Sequence, residues 1–229
     1  MRCLTILIPA LNEEKNILLT VNEILPVARR TLDAFEIILV NDGSSDRTGE
    51  IMDALAEGNS ELQVVHHSAR RGLGWAFREG IARARFDWLT LIPGDNAFNI
   101  EGLKRLFEAT GSADLVISFR TDQMQKRSLF RMCLSCLFTF IMGHLFGYRL
   151  RDFHSAVVYP VRVLRQLELR SDGYTYQLEV LVKLLGRGVL FVEVPVSMNP
   201  EMDGSSQSVC LKTLLDMGRM VWHLFRRRP

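Results

Sequence analysis

Three stretches hold the residues of this chain best suited to chemistry: Pro9-Ala10-Leu11-Asn12-Glu13, Asn41-Asp42-Gly43-Ser44-Ser45-Asp46 and Pro93-Gly94-Asp95-Asn96. Each follows an apolar run that reads as a buried strand. Each puts a carboxylate or amide where open α/β sheets bind their ligands, outside the carboxyl ends of the strands. In the third, Leu89 to Ile92 is stopped by Pro93-Gly94, and Asp95 has Asn96 rather than a second acid beside it. Between the second and third lies RRGLGWAFREG, Arg70 to Gly80. Gly72 and Gly74 open a helix there, and a helix N-terminus favours anions. The third glycine of a dinucleotide fingerprint is missing, so a helix start without a ligand is an equal reading.

These residues need a scaffold, and the first half supplies an alternating one. Leu4 to Ile8, Phe35 to Val40, Leu62 to His66, Trp88 to Ile92 and Asp114 to Phe119 read as strands. Glu13 to Arg30, Ser45 to Glu57, Gly72 to Arg85 and Glu101 to Thr110 read as helices, the second opened by Ser44-Ser45-Asp46 as cap. Short apolar strands separated by helices predict an α/β fold with a parallel, doubly wound sheet.

After residue 120 the pattern changes. LFRMCLSCLFTFIMGHLFGY, 129–148, is apolar almost all round. Met132 to Gly147 would make a helix of about 24 Å against a hydrocarbon core of about 30 Å. That disfavours a span and leaves a buried core helix or one lying in a membrane interface. Near the C-terminus Leu211, Leu214, Leu215, Met217, Met220, Val221, Trp222, Leu224 and Phe225 form a broad apolar face, followed by Arg226-Arg227-Arg228. Such a helix can lie on anionic lipid or pack as a terminal helix with a solvated basic tail.

The totals set limits. The 229 residues are 48% hydrophobic, enough for a sizeable core and against disorder. A net charge of +2 gives no case for nucleic acid, and the basic residues are mostly Arg, which suits phosphate or carboxylate recognition. Cys133 and Cys136 are spaced C-x-x-C in apolar surroundings with no second pair, which reads as structural thiols in a reducing compartment. The N-terminus turns acidic too soon for a signal peptide.

ILIPALNEE, VNDGSSDRT, RRGLGWAFREGIARA and IPGDNA, in this order and spacing, resemble the family 2 inverting glycosyltransferases of GT-A fold. VISFR, Arg131 with Ser135 four residues on, RDFHSAVVYP and GYTYQLEVLVKLLGRGVLFVEVPV resemble the polyprenyl-phosphate branch, the dolichyl-phosphate mannosyltransferase-like proteins. The resemblance implies a GT-A domain over 1–208, with a nucleotide-sugar half at 1–120 and an acceptor half at 121–208, then an amphipathic helix with a basic tail at 209–229. It implies a mostly parallel sheet flanked by helices, with amphipathic membrane-facing helices in the C-terminal half.

It also implies roles. Pro9, Asn12 and Glu13 would shape the nucleotide-sugar pocket with Gly72, Gly74 and Asn96, and Asp42 would accept from a base N–H. Asp95 stands first in the family's Asp-x-Asp motif and would hold Mg²⁺ or Mn²⁺ on the diphosphate, or sugar hydroxyls without metal. Arg120 and Arg131 would face phosphates. Asp152 would be the base or a second acidic metal contact, with Glu179 as the alternative base; each could instead structure a loop. Two departures stand out: Ala97 occupies the second acidic position, and in Ser206-Gln207 a glutamine replaces the family's lysine near the phosphates.

The implied reaction is inverting transfer of a hexosyl group from a UDP- or GDP-linked donor to a lipid-linked phosphate. The implied setting is the cytoplasmic side of a membrane, peripherally bound, with a membrane-protein partner or a second copy possible. The alternatives are a sugar-to-sugar transferase of surface polysaccharide synthesis and a catalytically silent nucleotide-sugar-binding subunit.

Overall fold

The computed structural model describes residues 1–121, 139–148, 150–199, 218–222 and 224. Its centre is a seven-stranded sheet in the order β3-β2-β1-β4-β6-β5-β7. The strands are β1 (Cys3–Ala10), β2 (Ala34–Asn41), β3 (Leu62–His66), β4 (Trp88–Leu91), β5 (Leu115–Arg120), β6 (Val157–Pro160) and β7 (Phe191–Val196). Every neighbouring pair is parallel except those of β6, which runs antiparallel to both β4 and β5. The numbered helices among the described residues are α1 (Ile17–Thr31), α2 (Thr48–Glu57), α3 (Leu73–Arg83), α4 (Ile100–Glu108), α5 (Val161–Leu164) and α6 (Tyr176–Leu185), with further helical stretches elsewhere.

The apolar strands are apolar because both faces are covered. Along β1, Leu4, Ile6 and Ile8 enter one cluster with Ile17, Val21 and Ile24 of α1 and Leu103, Leu106 and Phe107 of α4. Leu7 enters the other, with Phe77 and Ile81 of α3 and Leu178, Leu181 and Leu184 of α6. That second layer also receives Met142 and Phe146 from the helical stretch 139–146, and Leu224 from the C-terminal helical residues. Phe140 and Trp222, on the same stretches, stay 72% and 59% exposed.

Two expectations are corrected. Of Ser44-Ser45-Asp46, only Asp46 serves the start of α2, accepting from Thr48 N at 3.0 Å where the helix begins. Ser44 and Ser45 are drawn to Asn12 instead: Asn12 N donates to Ser44 Oγ at 3.0 Å and Ser45 N to Asn12 Oδ1 at 2.8 Å. Strand pairing is also more mixed than a doubly wound parallel sheet, because β6 inserts between β4 and β5.

The strand order reverses between β1 and β4. β1 leads outward to β2 and β3, and the chain then returns to β4 on the other side of β1. Such a switch point opens a crevice beyond the carboxyl ends of the two strands. The loops that start at Leu11 and at Ile92 flank it.

Candidate active site

The switch-point loops share an uncommon backbone feature. Among the described residues, the non-glycine residues with positive φ are Asn12 (58°) and Asn96 (54°). Asparagine tolerates the left-handed region better than most residues, and such conformations collect at functional sites. The loops are stitched together: Gly94 N donates to Pro9 O at 3.0 Å, and Thr20 Oγ1 of α1 donates to Gly94 O at 3.0 Å. Pro9 thus sits in the wall between the strands.

Glu13 and Asp95 face this crevice as a pair of carboxylates. Burial raises the Asp95 carboxyl above the ordinary aspartate value, opposed by a hydrogen bond from Ala97 N at 3.2 Å. Glu13 is raised as well, first by burial, with the Asn16 amide opposing at 2.7 Å and repulsion from Asp95 and Asp46 adding. Two acids that each resist ionisation form a place where positive charge is favoured. Asn96 does not turn toward them. Its amide points to Glu23 Oε1 at 3.5 Å, and its carbonyl accepts from Asn199 Nδ2 at 2.9 Å. Asn199 also bonds Ala97 O and Phe98 O, at 2.8 and 3.2 Å, and so clamps the loop that carries Asp95.

Asp42, past β2, is buried, and three hydrogen bonds hold its carboxylate, two at Oδ1 and one at Oδ2. Oδ1 accepts from His67 Nδ1 and Arg71 N, and Oδ2 from Gly72 N, each at 2.8 Å. The start of α3 therefore already has an anion on it, supplied by the protein. This corrects the view of Gly72 and Gly74 as an anion cradle. Gly74 N donates to Asp172 O at 2.8 Å, and a Cβ on Gly74 would overlap the carbonyl of Ser171. The glycines let α3 approach the 171–173 backbone.

The acceptor-half candidates lie at the same edge, since antiparallel β6 begins where β4 and β5 end. Arg120 and Asp152 form a buried fork, Nε to Oδ2 at 2.7 Å and NH2 to Oδ1 at 3.1 Å, and His154 N also donates to Asp152 Oδ1 at 2.8 Å. Ser155 is fixed beside them by Ser118 Oγ at 2.5 Å and by Gln177 Nε2 to its carbonyl at 2.6 Å. Glu179 does not reach the crevice. It is fully buried, accepting from Arg170 N, Ser171 N and Lys183 Nζ. It structures the 170–175 loop, which corrects its place as a candidate base. Arg131, Ser206 and Gln207 lie outside the described residues.

Sequence reasoning missed His67, Asn199, Gln177 and the Ser118–Ser155 pair. Their partners lie 25 or more residues away, except Gln177, which reaches Ser155 over 22, so no local pattern marks them.

Comparison with known proteins agrees with this geometry. The family model for glycosyl transferase family 2 matches residues 5–167. An undecaprenyl-phosphate mannosyltransferase from Micrococcus luteus is 30% identical over 218 residues, covering 90% of this chain and 87% of that protein. A polyprenol monophosphomannose synthase from Mycolicibacterium smegmatis is 28% identical over 219 residues, covering 88% and 79%. Glucosyl-3-phosphoglycerate synthase from Mycobacterium tuberculosis, solved with Mn²⁺, UDP-glucose and phosphoglyceric acid, shares the fold at a TM-score of 0.71 and 22% identity, over 99% of this chain and 79% of that one. With a family model spanning most of its length and a relative matched nearly end to end, this chain belongs to glycosyl transferase family 2.

Proposed function

We propose that this chain transfers a hexosyl group, with inversion, from a nucleotide sugar to a polyprenyl phosphate. The observation that carries the acceptor class is the commitment of both base candidates. Asp152 is bound at two points by Arg120, and Glu179 is enclosed by Arg170 N, Ser171 N and Lys183. A sugar hydroxyl must lose a proton to attack, and needs a base. A phosphate is already anionic near neutral pH. The relatives described above support the same choice, being an undecaprenyl-phosphate mannosyltransferase and a polyprenol monophosphomannose synthase.

In this reading Asp42 receives the nucleotide base, while Asn12 and Glu13 line the pocket. Asp95 faces the diphosphate. Its hard oxygen ligands, next to the second acid Glu13, fit Mg²⁺ or Mn²⁺ in chemistry and charge. Among the described residues no three His, Cys, Asp or Glu side chains form a closed metal site, so diphosphate oxygens would complete the coordination. When bound, the ion neutralises charge on the leaving diphosphate. Arg120, aimed by Asp152, holds the acceptor phosphate on the other side of the transferred sugar.

A lipid acceptor implies work at a membrane surface. Among the described residues no helix is long and apolar enough to cross a membrane. Phe140, Ile141 and Trp222 are exposed, and their helical stretches bury Met142, Phe146 and Leu224 in the layer that holds α3 and α6. We assign these exposed side chains to the membrane-facing side.

The test is a donor screen: purified protein in detergent with a short polyprenyl phosphate and Mg²⁺ or Mn²⁺, offered UDP- and GDP-linked sugars. Lipid-linked product from one donor, lost with EDTA and in Asp95→Ala, is the expected result. Donor binding without product on any lipid phosphate, but with product on a sugar acceptor, would overturn the reading.

A further inference from the structure

His67 follows β3 and is only 9% exposed. Its Nδ1 lies 2.8 Å from Asp42 Oδ1, while Nε2 is buried with no hydrogen-bond partner among the described residues. Among the described residues the ring thus has one hydrogen bond, and it goes to Asp42. A carboxylate oxygen only accepts, so Nδ1 carries the hydrogen and donates it. The ring is well anchored, because His67 N also donates to Asn41 O at 2.9 Å at the end of β2.

The other groups bonded to Asp42 are Arg71 N and Gly72 N, both on the loop that enters α3. Two amides on one loop move together and fix the carboxylate only as well as that loop is fixed. His67, tied to the sheet edge, supplies an independent third point. An apolar side chain would fill the same space without burying an unpaired nitrogen, which costs free energy. The imidazole is explained by what it does for Asp42.

We propose that His67 is a positioning residue for the nucleotide: its Nδ1–H fixes the Asp42 carboxylate in the orientation that receives a base N–H. The inference rests on the reading of Asp42 as the base-binding group. His67 touches no reacting atom, so its effect falls on donor binding and not on the chemical step.

The experiment compares two amides. Asparagine places its NH2 where Nδ1 sits, whereas glutamine places it nearer Nε2. Calorimetric titration of the full chain with UDP and with GDP is run on wild type, Asp42→Ala, His67→Asn and His67→Gln, with the melting temperature of each recorded. His67→Ala is a second variant without the donor, read in the same way should His67→Gln fail to fold. Asp42→Ala and His67→Gln are expected to weaken the preferred nucleotide about tenfold, and His67→Asn to restore it to within about twofold. In turnover the loss appears in the donor KM, with kcat little changed.

Nucleotide affinity lost in Asp42→Ala but unchanged in His67→Gln and His67→Ala overturns the inference alone. So does His67→Asn binding as poorly as His67→Gln, or a loss confined to kcat. Unchanged affinity in Asp42→Ala, or no nucleotide bound by wild type, overturns the base-site reading and the inference with it.

Discussion

Arg120 and Asp152 meet as a buried two-point ion pair, with Nε to Oδ2 at 2.7 Å and NH2 to Oδ1 at 3.1 Å, although the residues come from separate parts of the chain. The pair joins the end of β5 to the segment entering β6, and so, in the proposed reading, fixes the side of the crevice far from Asn12 and Glu13, where the acceptor would bind. Removing one partner leaves the other charged and buried. Asp152→Ala should cost about 3–5 kcal/mol. Arg120→Lys keeps the charge but loses the fork and should fall between wild type and Arg120→Ala. Urea unfolding checks both, and the double Ala variant should lose less than the sum of the singles.

Asp95 should trade stability for function. Its folded-state pKa is raised by burial, so the ionised native form is disfavoured. The sign follows by linkage: its contribution is fully favourable below the unfolded-state pKa and is lost as pH rises through the higher folded value. At neutral pH, Asp95→Asn should therefore raise the melting temperature of the ligand-free protein while abolishing transfer. The gain should vanish at pH values below the aspartate range. Differential scanning calorimetry at several pH values is the check; an Asn variant less stable than wild type at neutral pH would refute it.

The inner strands of the first half were legible because they are buried on both faces and read as mostly apolar runs, while the edge strand β3 shows only Leu62, Val64 and Val65. β1 to β5 all appear where the runs lie, with ends shifted by at most two residues. β6 was not, because four residues, Val157–Pro160, carry too little pattern and their orientation is set by two distant strands. The start of α2 was misread because Ser44 and Ser45 bond Asn12, more than 30 positions away, instead of capping their own helix. In the site the same division holds. Asp42 and Asp95 follow strands and were placed by the strand pattern, but the side chains that Asp42 and Asp152 bond to lie 25 or more residues away, whereas Glu179 bonds within nine residues of itself. His67 had no local signal.

Gly74 is the point where α3 meets the 171–172 backbone. A Cβ there would overlap Ser171 O, a backbone atom that cannot move without shifting the loop held by Glu179. Gly74→Ala should cost about 1–3 kcal/mol, the range for overpacking. Gly173, whose Cβ would meet nothing within 4 Å, is the control: Gly173→Ala should be close to neutral in thermal unfolding.

Glu179 should prove structural in a distinctive way. Its carboxylate receives Arg170 N at 3.0 Å and Ser171 N at 2.9 Å, with Lys183 Nζ at 2.5 Å. Glu179→Gln keeps the shape but replaces one acceptor oxygen by a donor that faces backbone N–H groups. The mismatch should cost about 2 kcal/mol. Transfer at saturating substrate should fall far less than for a lost base, which typically costs 10²–10⁴-fold. A rate loss in that range with unchanged stability would restore Glu179 as a catalytic group.

Trp222 and Phe140 test the membrane side. Both are exposed, on helical stretches whose opposite sides pack into the core through Leu224 and Met142. Their removal should leave the fold intact, because neither fills core space. If they enter the lipid interface, each gives up an apolar contribution of about 1.5–3 kcal/mol when replaced by Ser. Trp222→Ser with Phe140→Ser should then reduce partition onto anionic vesicles by at least about 100-fold, with the melting temperature unchanged. Lipid-linked transfer measured on vesicles should fall in step, while transfer to a short acceptor in detergent should not. Equal vesicle binding by wild type and the double variant would place the membrane-facing side elsewhere on the protein.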